Sequence, residues 1–198
     1  MHFLQEIMAY QPQTEQEIVD QQVFLQCLTQ DQMDFYQRSN QIAHFTSSAF
    51  ILNSQLDKTL MVFHRLYQTW TMCGGHAEGE QDLYAAAIKE AQEECGIKNL
   101  RPIRKEIAAI DILPVKKQNK NGIIVPAHRH FSITYLFFAD EEQEIHPNEM
   151  ENTAADWLLV KDLDFFCKEP YMRALYAKLL QKAKNWVFDS PQKEKRTK

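Results

Sequence analysis

Apolar and polar positions change rhythm at about residue 41 of the chain. Before it, residues 1–40 are rich in glutamine and follow a helical period: Val19, Val23 and Cys27 form one i+4 row, and Phe24 with Leu28 forms its neighbour. Thr14 followed by Glu17 is a capping-box pair, so a helix is predicted to start there. This N-terminal helical extension is expected to dock its stripe on the main domain or on a second copy of the chain, as in a homodimer. From residue 41 to 188 the pattern is that of one mixed domain. Strand-like runs are predicted over residues 42–52, 59–66, 68–73, 104–113, 123–139 and 157–160. Helices are predicted over 82–95, ended by Gly96 as a natural C′ residue, and over 169–187. Residues 116–122 read as a polar turn or excursion, and 189–198 as a disordered basic tail. Strands with one helix embedded early and another at the end imply an α+β or α/β sandwich, a mixed sheet between helices.

Composition narrows the picture only at its edges. With 198 residues, 44% of them apolar, the chain suits one domain with a real core and a modest extension. The net charge of -5 argues against a basic surface for a nucleic-acid polymer. Cys27, Cys73, Cys95 and Cys167 are widely spaced and form no C-x-x-C pair, which suits free thiols in a reducing cytoplasm. The first residues lack the pattern of a signal peptide, and no apolar run approaches the ~20 residues of a membrane span. A soluble, cytoplasmic protein is expected.

The chemistry concentrates in residues 74–97. On a helical wheel over 82–95, Tyr84, Ala87, Ile88, Ala91 and Cys95 share the core face. Glu90, Glu93 and Glu94 fall together in a separate arc. Like charges at i+3 and i+4 destabilise a bare helix by a few tenths of a kcal/mol per pair, and Lys89 reaches Glu93 only in the poorer orientation. A hard divalent cation relieves such crowding, and magnesium favours carboxylate oxygens shared with substrate phosphates. Gly74 and Gly75 before the helix read as a glycine-rich loop offering backbone N–H groups to phosphate. A solvated acidic face accounts for three glutamates alone, but not for the loop and carboxylates occurring together.

These residues resemble the Nudix family, whose box reads G-x5-E-x7-R-E-U-x-E-E-x-G-U with U a bulky aliphatic. Starting at Gly75, the chain has Gln81, Lys89, Glu90, Ala91, Glu93, Glu94, Gly96 and Ile97 at those spacings without a gap. Trp70 ahead of Gly74-Gly75-His76 is similar to the family's W-x-x-x-G-G-H approach. The run from Gly74 to Leu83 resembles a bacterial branch that reads GGHADGDEDL, which also carries a helical N-terminal extension and a segment like residues 38–49. The resemblance spans roughly residues 35–165. It implies a Nudix fold and hydrolysis of a diphosphate bond in a nucleoside diphosphate linked to another moiety, a small nucleotide-like substrate. It also implies Mg2+, with Mn2+ as a substitute, held by Glu90, Glu93, Glu94 and the Gly75 carbonyl. Gly74, Gly75, His76 and Lys89 are then candidates for phosphate, and Glu93, Glu94 or Glu151 for the general base. Three positions depart from the box, one of them only in size, where Ala91 stands for a bulky aliphatic. Gln81 stands for its glutamate and Lys89 for its arginine, so the family's bracing ion pair is expected as a weaker amide–ammonium contact.

His128 and His130 alternate on one strand face; with no third ligand evident, they read as satisfied or phosphate-facing histidines rather than zinc ligands. His44 and His64 read as packing residues, and Trp70, Tyr67 and Phe137 as core or base-stacking aromatics. A nucleotide-sensing module without turnover is one alternative function. An isopentenyl diphosphate isomerase-like enzyme using Cys73 is another.

Overall fold

The computed structural model describes residues 2–29, 34–120 and 122–189. Two helices open the chain, α1 (His2–Ala9) and α2 (Glu15–Leu28). Strands β1 (Ala43–Leu52), β2 (Lys58–His64), β3 (Thr69–Thr71) and β4 (Cys73–His76) precede helix α3 (Leu83–Cys95). Then come β5 (Arg101–Pro102), β6 (Ala109–Val115), β7 (Gln118–Lys120), β8 (Ile123–Val125), β9 (His128–Phe138) and β10 (Asn152–Leu159). A 3₁₀ turn at Val160–Asp162, the short α4 (Leu163–Phe166) and the long α5 (Pro170–Phe188) close the fold. Residues 190–198 of the predicted basic tail lie outside the described residues.

Strand β1 is central. It pairs in parallel with β9 along its whole length, antiparallel with β4 from Thr46 to Ala49, and antiparallel with β2 at Ile51 and Leu52. All ten of its residues are buried, which explains an apolar-and-small sequence without outward polar alternation. Its two faces feed two cores. Phe45, Ala49 and Ile51 pack with Phe24 of α2 and with Ala87, Ala91 and Cys95 of α3. Phe50 and Leu52 pack with Leu175, Tyr176 and Leu179 of α5. The result is the expected mixed sheet between helices.

The predicted elements need several adjustments. The run 123–139 is broken by Pro126 into β8 and β9, because proline cannot donate to a ladder. The excursion at 116–122 carries β7, and β7 with β8 forms a separate two-stranded hairpin. The final strand begins at Asn152, earlier than its apolar run suggests. Gly74 and Gly75 do not form a loop at a helix start. They belong to β4, in register with Ser48 and Ser47, and α3 begins only after the turn through Ala77–Gln81.

The extension docks on its own domain with most of the predicted stripe: Phe24 is buried and Val23, Cys27 and Leu28 pack against the core, while Val19 at its end stays outside. Val19 is 53% exposed, whereas Glu17, Asp20 and Phe24 are buried. Thr14 Oγ accepts the Glu17 N–H as a capping residue should, but the Glu17 carboxylate reaches back to the N–H of Gln13 rather than of Thr14. That carboxylate also accepts from the Tyr10 hydroxyl at 2.6 Å and pairs with Lys178 of α5 at 2.8 Å. Lys178 in turn pairs with Asp111 of β6, while Asp20 accepts the N–H of Ile112. A buried ionic hub therefore joins α2, β6 and α5. Removing one member of such a hub leaves a buried charge uncompensated. Glu17→Ala is expected to lower the free energy of unfolding by about 3 kcal/mol, whereas Val19→Ala changes it by less than about 0.5 kcal/mol. Urea denaturation of the two variants measures this.

Candidate active site at the junction of helix α3 and strand β4

Helix α3 is set by its ends. The Asp82 side chain accepts the N–H of Ala85 at 2.9 Å as N-cap, and Gly96 takes φ +70° at the C-terminal end. Between them the helix buries Leu83, Ala86, Ala87, Ala91, Glu94 and Cys95. Tyr84 and Ile88 are only partly buried, so the core face is rotated slightly from the one the wheel predicts. That rotation takes Glu94 inside.

The glycine pair makes room for the carboxylates. A Cβ on Gly75 would stand 2.4 Å from the Glu90 carboxylate, and one on Gly74 would stand 2.3 Å from the Ser48 Oγ. Only glycine allows both approaches. Glu94, 4% exposed, accepts the Gly74 N–H at 2.8 Å and the Asn152 side-chain N–H at 3.2 Å. The Gly74 N–H is thus engaged by Glu94, and this removes it from the phosphate role expected of it. Gly75 sits in the ladder opposite Ser47. Both glycines permit close approach, Gly75 to Glu90 and Gly74 to Ser48.

Glu90 and Glu94 carry the electrostatic signature of the site. Burial pushes Glu90 up from the ordinary 4.5 to about 7, with further repulsion from Glu93 and Glu151. Burial likewise lifts Glu94 to about 7, against the hydrogen bonds from Gly74 and Asn152, with Glu90 and Glu151 adding repulsion. Both carboxyls thus feel the negative charge of Glu151, whose carbonyl accepts the N–H of Arg65 and ties the loop to the end of β2. Glu93 behaves differently. Its side chain is 54% exposed and faces Lys89 at 3.7 Å, at the rim.

A cavity of about 780 Å³ opens beside this junction, lined by His76, Glu78, Gln81, Lys89 and Glu90 among others. Gln81 and Lys89 share its wall, but no hydrogen bond joins them among the described residues. Lys89 turns to Glu93, and the expected brace is not formed. The loop is held instead by the Arg38–Glu78 pair at 2.9 Å and by the N–H of Gly79 donating to Tyr36. His76 lines this cavity and also meets other histidines: its ring is 5.0 Å from that of His44 and 5.1 Å from that of His130. Burial pulls His44 below its ordinary range. Cys73 points the other way, into the core, with its Sγ 3.6 Å from that of Cys95. Of the aromatics, Phe137 is core and Trp70 packs on Phe63, while Tyr67 is 44% exposed and lies tilted against the His64 ring. Sequence reasoning missed Asn152 and Ser48. Asn152 sits beside Glu151 with no periodic signal, and Ser48 is recognisable only once its strand is paired with Gly74.

A helix that presents carboxylates to a glycine-bearing strand beside an open cavity defines an α+β domain built around oxygen donors. A family model described as the NUDIX domain matches residues 43–182, and the chain belongs to that family of Nudix hydrolases. No curated protein matches the sequence. Among solved structures, the MutT protein from Methanosarcina mazei Go1 is similar over 73% of this chain and 98% of its own, with 15% identity and a TM-score of 0.57. The E. coli dihydroneopterin triphosphate pyrophosphohydrolase is similar over 69% of this chain and 94% of its own, with 15% identity and a TM-score of 0.52. Identities this low establish a shared fold. No described helix is long and apolar enough to cross a membrane.

The raised carboxyls give a pH test. Their folded values lie above the unfolded ones, so the protonated forms stabilise the metal-free fold fully below about pH 4.5. That contribution is lost as pH rises through about 7. Asp111, lifted by burial to about 6, acts in the same direction, so a variant is needed to separate the sites. In excess chelator, the melting temperature of the wild type is expected to fall between pH 5 and 8. Glu94→Gln should flatten that slope. An unchanged slope would show that Glu94 does not titrate there.

Proposed function

We propose that the chain hydrolyses a diphosphate bond in a small nucleotide-like substrate, with magnesium as its resident ion and manganese as a substitute. The observation that supports this reading most is the convergence of Glu90, Glu94 and Glu151 beside Gly74–Gly75. Buried carboxylates that raise one another's pKa are stable as anions only with a cation among them. The donor set is all oxygen, which suits a hard ion. Glu90, Glu94 and the Gly75 carbonyl would hold it, with Glu93 reaching in from the rim.

A bound magnesium ion neutralises phosphate charge and lowers the pKa of a coordinated water. The chain's own residues do the rest. Glu151 is the base best placed to take the proton from the attacking water, since it is on a loop and repels both buried glutamates without sharing their hydrogen bonds. Lys89, exposed at the cavity wall, supplies a positive charge for a phosphate. The Asn152 amide and Gly74 N–H hold Glu94 in place, so that it need not reorganise during turnover. The isomerase-like alternative gains nothing from Cys73, which is buried against Cys95 away from the cavity.

The deciding experiment is a panel of nucleotide sugars, ADP-ribose, dinucleoside polyphosphates and oxidised nucleoside triphosphates assayed with magnesium. Turnover of one class is expected, and binding without turnover throughout the panel would favour a sensing module. Glu94→Gln should lower kcat at least ~100-fold while the far-UV circular dichroism is unchanged. Near wild-type turnover would remove Glu94 from the metal site. Glu151→Gln should lower kcat more than it weakens magnesium binding measured calorimetrically, as loss of a base requires. Equal losses in both would make Glu151 a ligand instead.

A further inference from the structure

The sheet face turned away from α3 carries a second cluster of a different chemistry. Along β1, His44 shares a face with Thr46 and Ser48, and parallel pairing sets His44 opposite His130 of β9. Antiparallel pairing sets Thr46 opposite His76 of β4. His128 lies two residues before His130, on the same face. Four imidazoles from three strands thus meet. Ring centroids are 4.8 Å apart for His44 and His128, 5.1 Å for His44 and His130, and 5.2 Å for His128 and His130. One ligating nitrogen from each of His44, His76 and His130 lies within 4.8 Å of the others.

We propose that His44, His76 and His130 bind a transition-metal ion of the zinc class, at a site separate from the glutamates. The proposal does not rest on the hydrolytic reading. His44 is 3% exposed, and its Nδ1 is 2.9 Å from the Asn40 carbonyl. A carbonyl only accepts, so the proton is on Nδ1 and the Nε2 lone pair is free. That buried Nε2 has no hydrogen-bond partner among the described residues. His128 is arranged in the same way, with Nδ1 at 2.9 Å from the Pro126 carbonyl. Metal-binding histidines are oriented by this kind of second hydrogen bond.

Competing occupants fit less well. An anion needs protonated rings, and imidazolium ions packed this closely repel one another, the more so where His44 is buried. Magnesium prefers oxygen donors, whereas neutral imidazole suits zinc, nickel, copper and iron. Zinc–nitrogen bonds of about 2.0–2.1 Å in a tetrahedron place ligand nitrogens about 3.4 Å apart. The cluster must contract from 4.8 Å, a movement within the reach of side-chain rotation. Three protein nitrogens leave a fourth position, for which His128 is the neighbouring imidazole. The ion would cross-link β1, β4 and β9, and it would stand one residue along β4 from Gly75.

The test uses the full, tag-free chain stripped with chelator and dialysed against zinc chloride alone. Elemental analysis is expected to give about one zinc per chain. His44→Gln and His130→Gln should each weaken zinc affinity at least ~10-fold, with far-UV circular dichroism unchanged, while Glu94→Gln keeps its zinc. Cobalt in place of zinc should give the visible d–d absorption of a tetrahedral site, which needs no variant and so survives a folding failure in either histidine mutant. Substoichiometric zinc, zinc retained by both histidine variants, zinc lost from Glu94→Gln, or cobalt without that absorption would each overturn the proposal.

Discussion

Helix α3 approaches the sheet closely because β4 has no side chains where the helix needs to be. Gly75 admits the Glu90 carboxylate, and the Gly74 N–H turns inward to meet Glu94. Everything acidic in the candidate site depends on that contact. An alanine in place of Gly75 would occupy the position of Glu90's carboxylate, and the helix would have to rotate or withdraw. Rotation would expose Glu94 and separate it from Asn152, the first residue of β10. The strand order serves the same end. β4 reaches α3 only because β1 pairs with β2 at its far end and with β4 at its middle, leaving the glycines under the helix.

The site was legible in the sequence where it depends on helical periodicity, and less so where it depends on strand pairing. The spacing of Glu90, Glu93 and Glu94 located the acidic centre. It could not show that Glu94 would be inside and Glu93 at the rim, because burial is decided by a small rotation of the whole helix. Gly74 and Gly75 were conspicuous, yet their local sequence reads as a phosphate loop. Their real neighbours, Ser48 and Glu90, are distant in one case and on the facing helix in the other. The histidines show the same limit. His44, His76 and His130 are scattered over 87 positions of sequence and become neighbours only through the β1 ladders. Two of them on one strand gave no third ligand; the third and fourth came from other strands.

In the N-terminal extension the apolar pattern located the docking side but not the charges that go in with it. Of the stripe formed by Val19, Val23, Cys27, Phe24 and Leu28 only Val19 stays exposed, and Glu17 and Asp20 are buried beside Phe24. Charged residues go inside here because each finds a partner from the main domain: Lys178 for Glu17, the Ile112 N–H for Asp20. A buried ionic contact is a poor source of net stability and a good source of positional selectivity, since a shifted helix would leave charges unpaired. The hub thereby fixes how α2 lies across β6 and α5. Lys182, buried one turn further along α5, adds its ammonium over the rings of Tyr10 and Trp186.

Consecutive residues of β4 point to opposite sides of the sheet, and the chain uses this to keep two kinds of donor apart. Toward α3, β4 presents Cys73 and Gly75, against Cys95 and the Glu90 carboxylate. Toward the other face it presents Gly74 and His76, against Ser48, His44 and His130. Oxygen donors therefore gather on one side and imidazoles on the other, though Gly75 and His76 are adjacent in sequence. The carboxylates suit a hard ion, and the three imidazoles suit a borderline one. Mixing the two sets would require β4 to slip by one residue, which would drive the Cys73 side chain out of the core and His76 into α3. The pleat of a four-residue strand, held in register by β1, is what separates the two chemistries.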